Sequence, residues 1–237
     1  MLTFENYADI FTKAGLPVEK SEFTLFDRYA SMLADWNSRV NLTSITAPDE
    51  IIMKHFADSL LLTKFVNFPD GCSVIDVGSG AGFPGLPLKI HNNNINMTFL
   101  DSLQKRLAFL DAVCAELNLP CERLHMRAED AGRNEQCREK YDIATARAVA
   151  RMDVLAEYCL PLVKVGGVFA ALKGPNEDIS ASKTKITQLG GKVSFVENYS
   201  LPNGDARMLV LIEKISHTPT KYPRTSAALA KEMKNAK

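Results

Sequence analysis

The stretch Val74 to Gly85, Val-Ile-Asp-Val-Gly-Ser-Gly-Ala-Gly-Phe-Pro-Gly, constrains the fold more than any other. A short apolar run from Ser73 to Val77 enters a cluster of four glycines, Gly78, Gly80, Gly82 and Gly85. The pattern predicts a buried strand, a tight turn and then a helix. Glycine accepts positive φ and carries no Cβ, so the turn can press its backbone against a ligand. Pro84 suits the first turn of the following helix. In an open α/β sheet, the carboxyl end of the first strand is where nucleotide-like ligands bind.

The glycines satisfy two patterns. Gly80, Gly82 and Gly85 fit G-x-G-x-x-G, the dinucleotide fingerprint. Gly78, Gly80 and Gly82 fit G-x-G-x-G with Asp76 two residues ahead, which resembles motif I of the S-adenosylmethionine (AdoMet) methyltransferases. No Lys follows at the spacing of a G-K-[ST] phosphate loop, so that ligand mode is excluded.

At 237 residues the chain can hold one large α/β domain with a small appendage. Residues 1–70 read as an N-terminal helical region. Phe4, Tyr7, Ile10 and Phe11 mark a short helix, and Phe23, Phe26, Tyr29, Ala30, Leu33, Trp36 and Val40 a longer one whose aromatic stripe is read as core. Thr46 is placed to cap a third, with Pro48 in its first turn and His55 and Asp58 on one face. This region carries six basic and ten acidic side chains, which argues against a broad RNA face there, its Lys54–His55 edge excepted. Phe68-Pro69-Asp70-Gly71 is a turn and a boundary.

From there strand and helix alternate. Strands are predicted at 73–77, 96–100, 123–126, 142–146, 167–172, 192–196 and 206–213. The clearest helix carries Leu103, Leu107, Leu110, Val113, Cys114 and Leu117, and Asn118 with Pro120 stops it; others are predicted at 151–164 and 176–189. Alternation implies parallel strands with right-handed crossovers. The short link from Ser200 to Asp205 lets the last two strands form an antiparallel hairpin. The expected fold class is therefore α/β, the Rossmann-like class I methyltransferase fold: a seven-stranded, mostly parallel sheet with helices on both faces and an N-terminal helical extension. The domain reading is 1–70 packed on the core, 71–215 as the core, and 216–237 as a basic tail. From Lys214 onward Lys214, Lys221, Arg224, Lys231, Lys234 and Lys237 face Glu232 alone, a candidate phosphate contact.

Formal net charge is zero, so a nucleic-acid partner requires a local basic patch. There is no long apolar run and no signal-peptide pattern, which predicts a cytoplasmic protein with no membrane partner. Five cysteines without C-x-x-C spacing predict reduced, mostly buried thiols and no metal.

Asp101 closes the second strand, where a carboxylate can accept both hydroxyls of an adenosine ribose; the alternative is a cap for the next helix. Arg127-Ala128-Glu129-Asp130 follows the third strand, the place where methyltransferases, which the glycine motif resembles, hold the adenine edge. Arg147 is a charge in a buried strand, pointing to a site or an ion pair. Lys173 has the same ambiguity.

The ordered set Asn41-Leu42-Thr43, His55-x-x-Asp58-Ser59-Leu60, Asp76 through Leu88, Asp101-Ser102-x-x-Lys105-Arg106, Arg127-Ala128-Glu129 and Thr145-Ala146-Arg147-Ala148 resembles the ribosomal RNA small subunit methyltransferase G family, over roughly residues 20–225. Lys221-Tyr222-Pro223-Arg224 also looks like the family; beyond it Thr225-Ser226-Ala227-Ala228 replaces the usual Gly-x-Pro ending. The resemblance implies AdoMet-dependent methylation of N7 of one guanine, guanine-527 in the decoding-region loop of 16S rRNA. It implies Gly78 and Phe83 lining the cofactor, with Asp76 and Gly80 in the same motif, Ala128 and Glu129 at the adenosine end, and Arg147 closing the site. Asp101 is added from its strand-end position. Guanine N7 carries a free lone pair, so no catalytic base is expected, and Asp58 and Arg147 are candidates for positioning the base. Lys105, Arg106, Arg127, Arg207 and Arg224 are candidate phosphate ligands. The expected partner is 16S rRNA in the small subunit or its assembly intermediate, with the protein a monomer. Two rival readings remain open from the residues alone: an NAD-dependent oxidoreductase, and a non-catalytic RNA-binding or ribosome-assembly module.

Overall fold

The computed structural model describes residues 3–147, 149–225 and 227–229. Ala148 and the tail residues Lys231, Glu232, Lys234 and Lys237 lie outside them.

Two helices open the chain, α1 (Phe4–Lys13) and α2 (Lys20–Val40). A continuous helical segment follows: α3 (Pro48–Ile51), a π-helical stretch Ile52–Ala57, α4 (Asp58–Leu60) and a 3-10 turn Leu61–Lys64. Ala47 rather than Thr46 precedes its first turn, with no side-chain cap; Pro48 is at the first helical position, as expected, and Asp49 and Glu50 favour the positive end of the helix.

The sheet comprises β1 (Ser73–Val77), β2 (Asn96–Asp101), β3 (Cys121–His125), β4 (Tyr141–Arg147), β5 (Val163–Lys173), β6 (Gly191–Ser200) and β7 (Ala206–Lys214). Among the described residues these seven strands form one sheet in the order β3-β2-β1-β4-β5-β7-β6. Pairs β1–β2, β1–β4, β2–β3 and β4–β5 are parallel, while β7 runs antiparallel to both β5 and β6. The expected hairpin therefore exists, with β7 inserted between its partner and the parallel strands. Between the strands lie α5 (Gly85–His91), α6 (Gln104–Glu116), α7 (Ala128–Ala131), α8 (Met152–Cys159) and α9 (Lys183–Gln188). The helices predicted at 151–164 and 176–189 are shorter than expected, because Pro161 and the Ser180–Ser182 turn convert their ends to 3-10 geometry. Leu103, expected on the buried stripe, precedes α6 and is 41% exposed.

Strand alternation splits the core in two. One cluster joins Val74, Phe99, Leu209 and Leu211 to Phe11, Phe26, Tyr29, Phe56 and Leu110, so the N-terminal region and α6 share a single core on one face. The other joins Ile75, Leu100, Val210 and Ile212 to Leu155, Ile186 and Tyr222 on the opposite face. The chain reverses its outward direction between β1 and β4, which opens a crevice at their carboxyl ends.

The presumed start of the tail is different from expectation. Lys214 ends β7, is buried, and donates to Glu139 (2.9 Å) and to the carbonyls of Leu160 and Val163. Thr218 and Tyr222 are also buried, so residues 218–224 lie on the core. Among the described residues the cysteines are free thiols, no cluster could hold a metal, and no helix is long and apolar enough to cross a membrane.

Candidate active site

Gly78, Gly80 and Gly82 all take positive φ (70, 57 and 101°), so the loop after β1 needs glycine at each. Its backbone is pinned on three sides. Gly78 N–H donates to Leu100 O (2.8 Å), Gly80 N–H to Asp101 Oδ2 (2.9 Å), and Gly85 N–H to Asp76 Oδ2 (3.1 Å). Asp76 is wholly buried and its other oxygen accepts from Thr145 Oγ1 (3.1 Å). Burial pushes its carboxyl up to about 7 against the pull of these hydrogen bonds and of the Arg147 charge.

Two clefts open in this crevice. The first, about 390 Å³, is lined by Gly78, Asp101, Ala128, Glu129, Arg147 and Tyr158, with Arg106, Arg127 and Val149 also on its walls. That volume falls within the range of small-molecule sites. Asp76, Gly80 and Phe83 do not line it. Asp76 and Gly80 fix the loop from behind, and Phe83 lies beneath Arg147, whose guanidinium is 4.9 Å from the ring centroid. Asp101 is 3% exposed, and its carboxylate already accepts Leu103 N–H (2.9 Å), Gly80 N–H (2.9 Å) and Arg106 Nη1 (3.3 Å). Of roughly four acceptor positions, one is spare. It can take one ribose hydroxyl as it stands, and the second only if Arg106 moves.

The second cleft, about 440 Å³, is lined by Thr43, Lys54, His55, Asp58, Lys173 and Arg207, and again by Arg147. Arg147 is thus the wall between the two. Its Nη1 donates to Lys54 O (2.8 Å) and Asp58 Oδ2 (3.4 Å), and its Nη2 to His55 Nδ1 (3.0 Å). These bonds leave Nε–H and one Nη2–H as its remaining donors. Since His55 Nδ1 accepts, Nε2 carries the proton and donates to Thr43 Oγ1 (3.0 Å). Burial, reinforced by the Arg147 charge, holds His55 down to about 3, so the ring is neutral. It stacks on Phe83 at 4.2 Å. His55 and Asp58, which share a helix face, each accept from Arg147. Asp58, 2% exposed, also accepts from Tyr199 OH (3.1 Å) and Arg207 Nε (3.2 Å). The π-helical stretch carries His55, a placement that π turns often have at functional sites.

The five candidate phosphate ligands separate. Lys105 is exposed on α6, and Arg127 is exposed at the rim of the first cleft. Arg106 is tied to Asp101, and Arg207 to Asp58 at the mouth of the second cleft. Arg224 is corrected outright: it is locked onto buried Glu157, Nε to Oε1 at 2.9 Å and Nη2 to Oε2 at 2.7 Å. Lys173 is committed too, to the Ala150 carbonyl and Glu177 (3.1 Å), steadying the loop before α8. Sequence reasoning missed Tyr199, Tyr158 and the Thr43 link, because long-range pairings such as Tyr199 with Asp58 leave no local pattern.

Among solved structures, a SAM dependent methyltransferase from Aquifex aeolicus aligns with a TM-score of 0.54 at 15% identity, covering 73% of this chain and 96% of that one. The [4+2]-cyclase SpnF aligns at 0.53 and 14% identity, covering 67% and 80%. Two such different names on one fold show why this likeness speaks for architecture alone. Sequence matches reach further. The Ribosomal RNA small subunit methyltransferase G of Clostridium tetani is 43% identical over 234 residues, 95% of this chain and 98% of that protein. The protein of the same name from Lactobacillus johnsonii is 47% identical over 228 residues, 93% and 95%. The profile of the family described as rRNA small subunit methyltransferase G matches residues 22–208, which include the glycine loop, Asp101, Arg147 and most of the second cleft. With that span and those identities, the chain belongs to the rRNA small subunit methyltransferase G family.

Proposed function

We propose that this protein transfers the methyl group of AdoMet to N7 of a guanine in 16S rRNA, the decoding-region guanine-527 of the family. One observation carries the reading: two clefts at the carboxyl ends of β1 and β4 share Arg147 as their dividing wall. The first cleft suits AdoMet in size and donor set. Asp101 would take a ribose hydroxyl, Ala128 and Glu129 the adenine edge, and the Cβ-free backbone of Gly78 the remainder. When bound, AdoMet supplies an electrophilic methyl on a positively charged sulfur.

The second cleft receives the base. Guanine is splayed from its strand so that N7 faces the first cleft, and Arg147 offers its remaining N–H groups to the adjoining carbonyl edge. N7 already holds a lone pair, so no proton has to leave before it attacks. The site agrees with that economy. His55 is neutral, with one nitrogen accepting from Arg147 and the other donating to Thr43. Asp58 is held between two guanidinium groups and a phenol. Placement of N7 in line with the methyl supplies most of the acceleration, and the Asp58 carboxylate offsets positive charge arriving on the base. Arg127 at the rim of the first cleft and Lys105 on α6 are exposed and contact phosphate. The protein acts in the cytoplasm as a monomer, on rRNA in the small subunit or its assembly intermediate.

Mass spectrometry of small-subunit rRNA, from cells with and without the protein, tests the reading. A single 7-methylguanine should vanish with the protein and return with the wild-type chain. Unchanged rRNA would leave a non-catalytic RNA-binding module as the better account.

A further inference from the structure

The segment from Thr218 to Arg224 is fastened to α8 and to the loop that follows α7. On α8, Glu157 is 0% exposed, and Arg224 grips it at three points: through its backbone N–H (2.7 Å), Nε (2.9 Å) and Nη2 (2.7 Å). The next residue, Tyr158, lines the first cleft. Just after α7, Pro223 rests against Gly132, where an added Cβ would stand 2.8 Å from the proline ring. Arg133 Nε donates to Pro223 O (2.8 Å). Arg138 Nη1 bridges Gly132 O (2.7 Å) and Tyr222 O (2.9 Å), and its Nη2 reaches Thr218 O (2.6 Å). Gly132 immediately follows Ala128–Ala131, and Ala128 and Glu129 line the same cleft.

We infer that this strap is the outer brace of the cofactor cleft, and that Arg224 is a positioning residue for its adenosine wall. Through Glu157 it fixes Tyr158, and beside Pro223 it fixes the end of α7 with Ala128 and Glu129. The inference rests on the reading that the first cleft holds AdoMet. It moves the family-like Lys221-Tyr222-Pro223-Arg224 from RNA contact to cofactor affinity. Without Arg224 the buried Glu157 carboxylate keeps the longer contact to Lys185 Nζ (3.6 Å), a poorly compensated buried charge, so the wall would shift to rehydrate it.

The test uses the full chain, with S-adenosylhomocysteine as the calorimetric probe and small-subunit rRNA binding measured across salt without cofactor. Arg224→Gln should weaken S-adenosylhomocysteine by roughly tenfold or more, Arg224→Lys should recover most of it, and the salt slope for RNA should not change. Cofactor affinity within about twofold of wild type overturns the inference, even if the melting midpoint falls, since the strap would then only add stability. A salt slope lowered by about 0.7 with normal cofactor affinity overturns it in favour of a phosphate contact. If Arg224→Gln does not fold, the pair Glu157→Gln with Arg224→Gln, which removes the buried carboxylate together with its arginine, is read by the same criteria. Wild-type protein that binds no S-adenosylhomocysteine would instead refute the cofactor reading itself.

Discussion

Asp76 offers the sharpest physical test. Its carboxyl is fully buried behind the glycine loop, accepts from Gly85 N–H and Thr145 Oγ1, and is pushed from its ordinary value near 3.8 to about 7. Asp76→Asn is close to isosteric: the amide oxygen can accept from Gly85, and the Nδ2 group can donate to a rotated Thr145 hydroxyl. Below about pH 3.8 the carboxyl is protonated in both folded and unfolded chains, so it adds no pH dependence there. Between 3.8 and about 7 the unfolded chain releases its proton first, and folding stability falls as pH rises, by about 1.4 kcal/mol for each pH unit. Over that interval the loss reaches about 4 kcal/mol, and above pH 7 it is constant. Urea unfolding of wild type and Asp76→Asn without cofactor, from pH 4 to 8, isolates this one group, because other titrations cancel in the difference. The variant should gain on wild type steadily up to about pH 7 and then hold its advantage. A stability gap that is the same at pH 4 and pH 8 would refute the account of a carboxylate kept dry beneath the loop.

Other expectations follow from the same geometry. Asp101→Ala removes a charge-assisted contact to ribose, and calorimetry should find AdoMet weakened by about 1.5–3 kcal/mol; unchanged affinity would remove Asp101 from the cofactor site. Single-turnover methyl transfer at saturating RNA should be nearly flat from about pH 6.5 to 9, since His55 is held at about 3 and N7 needs no deprotonation; a steep rise near pH 7 that persists in Asp76→Asn, and so is not the titration of Asp76 behind the loop, would reveal an overlooked base. Asp58→Ala leaves Arg147 and Arg207 without their shared carboxylate and should cost about 3–5 kcal/mol in urea unfolding, whereas a loss under about 1 kcal/mol would mean the pairs are solvated. Arg127→Ala should lower the slope of log RNA affinity against log salt by about 0.7, and an unchanged slope would remove it from the phosphate contacts.

Much of this was legible in the sequence because the signals were local. The run into Gly78 and the strand–helix alternation are patterns within a few residues, and they located the sheet, the crevice and its loop. Arg147 stood out as a charge in a buried strand, and Asp58 by its helical spacing from His55. Pairings between distant residues were not legible. Arg224 read as a phosphate ligand because its partner, Glu157, lies 67 positions away in a helix with no local link to it. Lys214 read as tail for a similar reason, its acceptors being Glu139, Leu160 and Val163. The π-helical stretch around His55 had no sequence mark, since the Ile51-to-Leu62 pattern fits an ordinary helix equally well.

The strand order has a consequence for the making of the protein. Among the described residues β6 is paired to the sheet only through β7, which follows it in the chain and lies between it and β5. A nascent chain that has reached Ser200 therefore has a strand with no backbone partner, and it must wait about one to three seconds for the next fourteen residues at ordinary elongation rates. The strap ending at Arg224 emerges later still. Both the last strands and the outer wall of the first cleft therefore wait for the segment through Arg224 to be made before they can close.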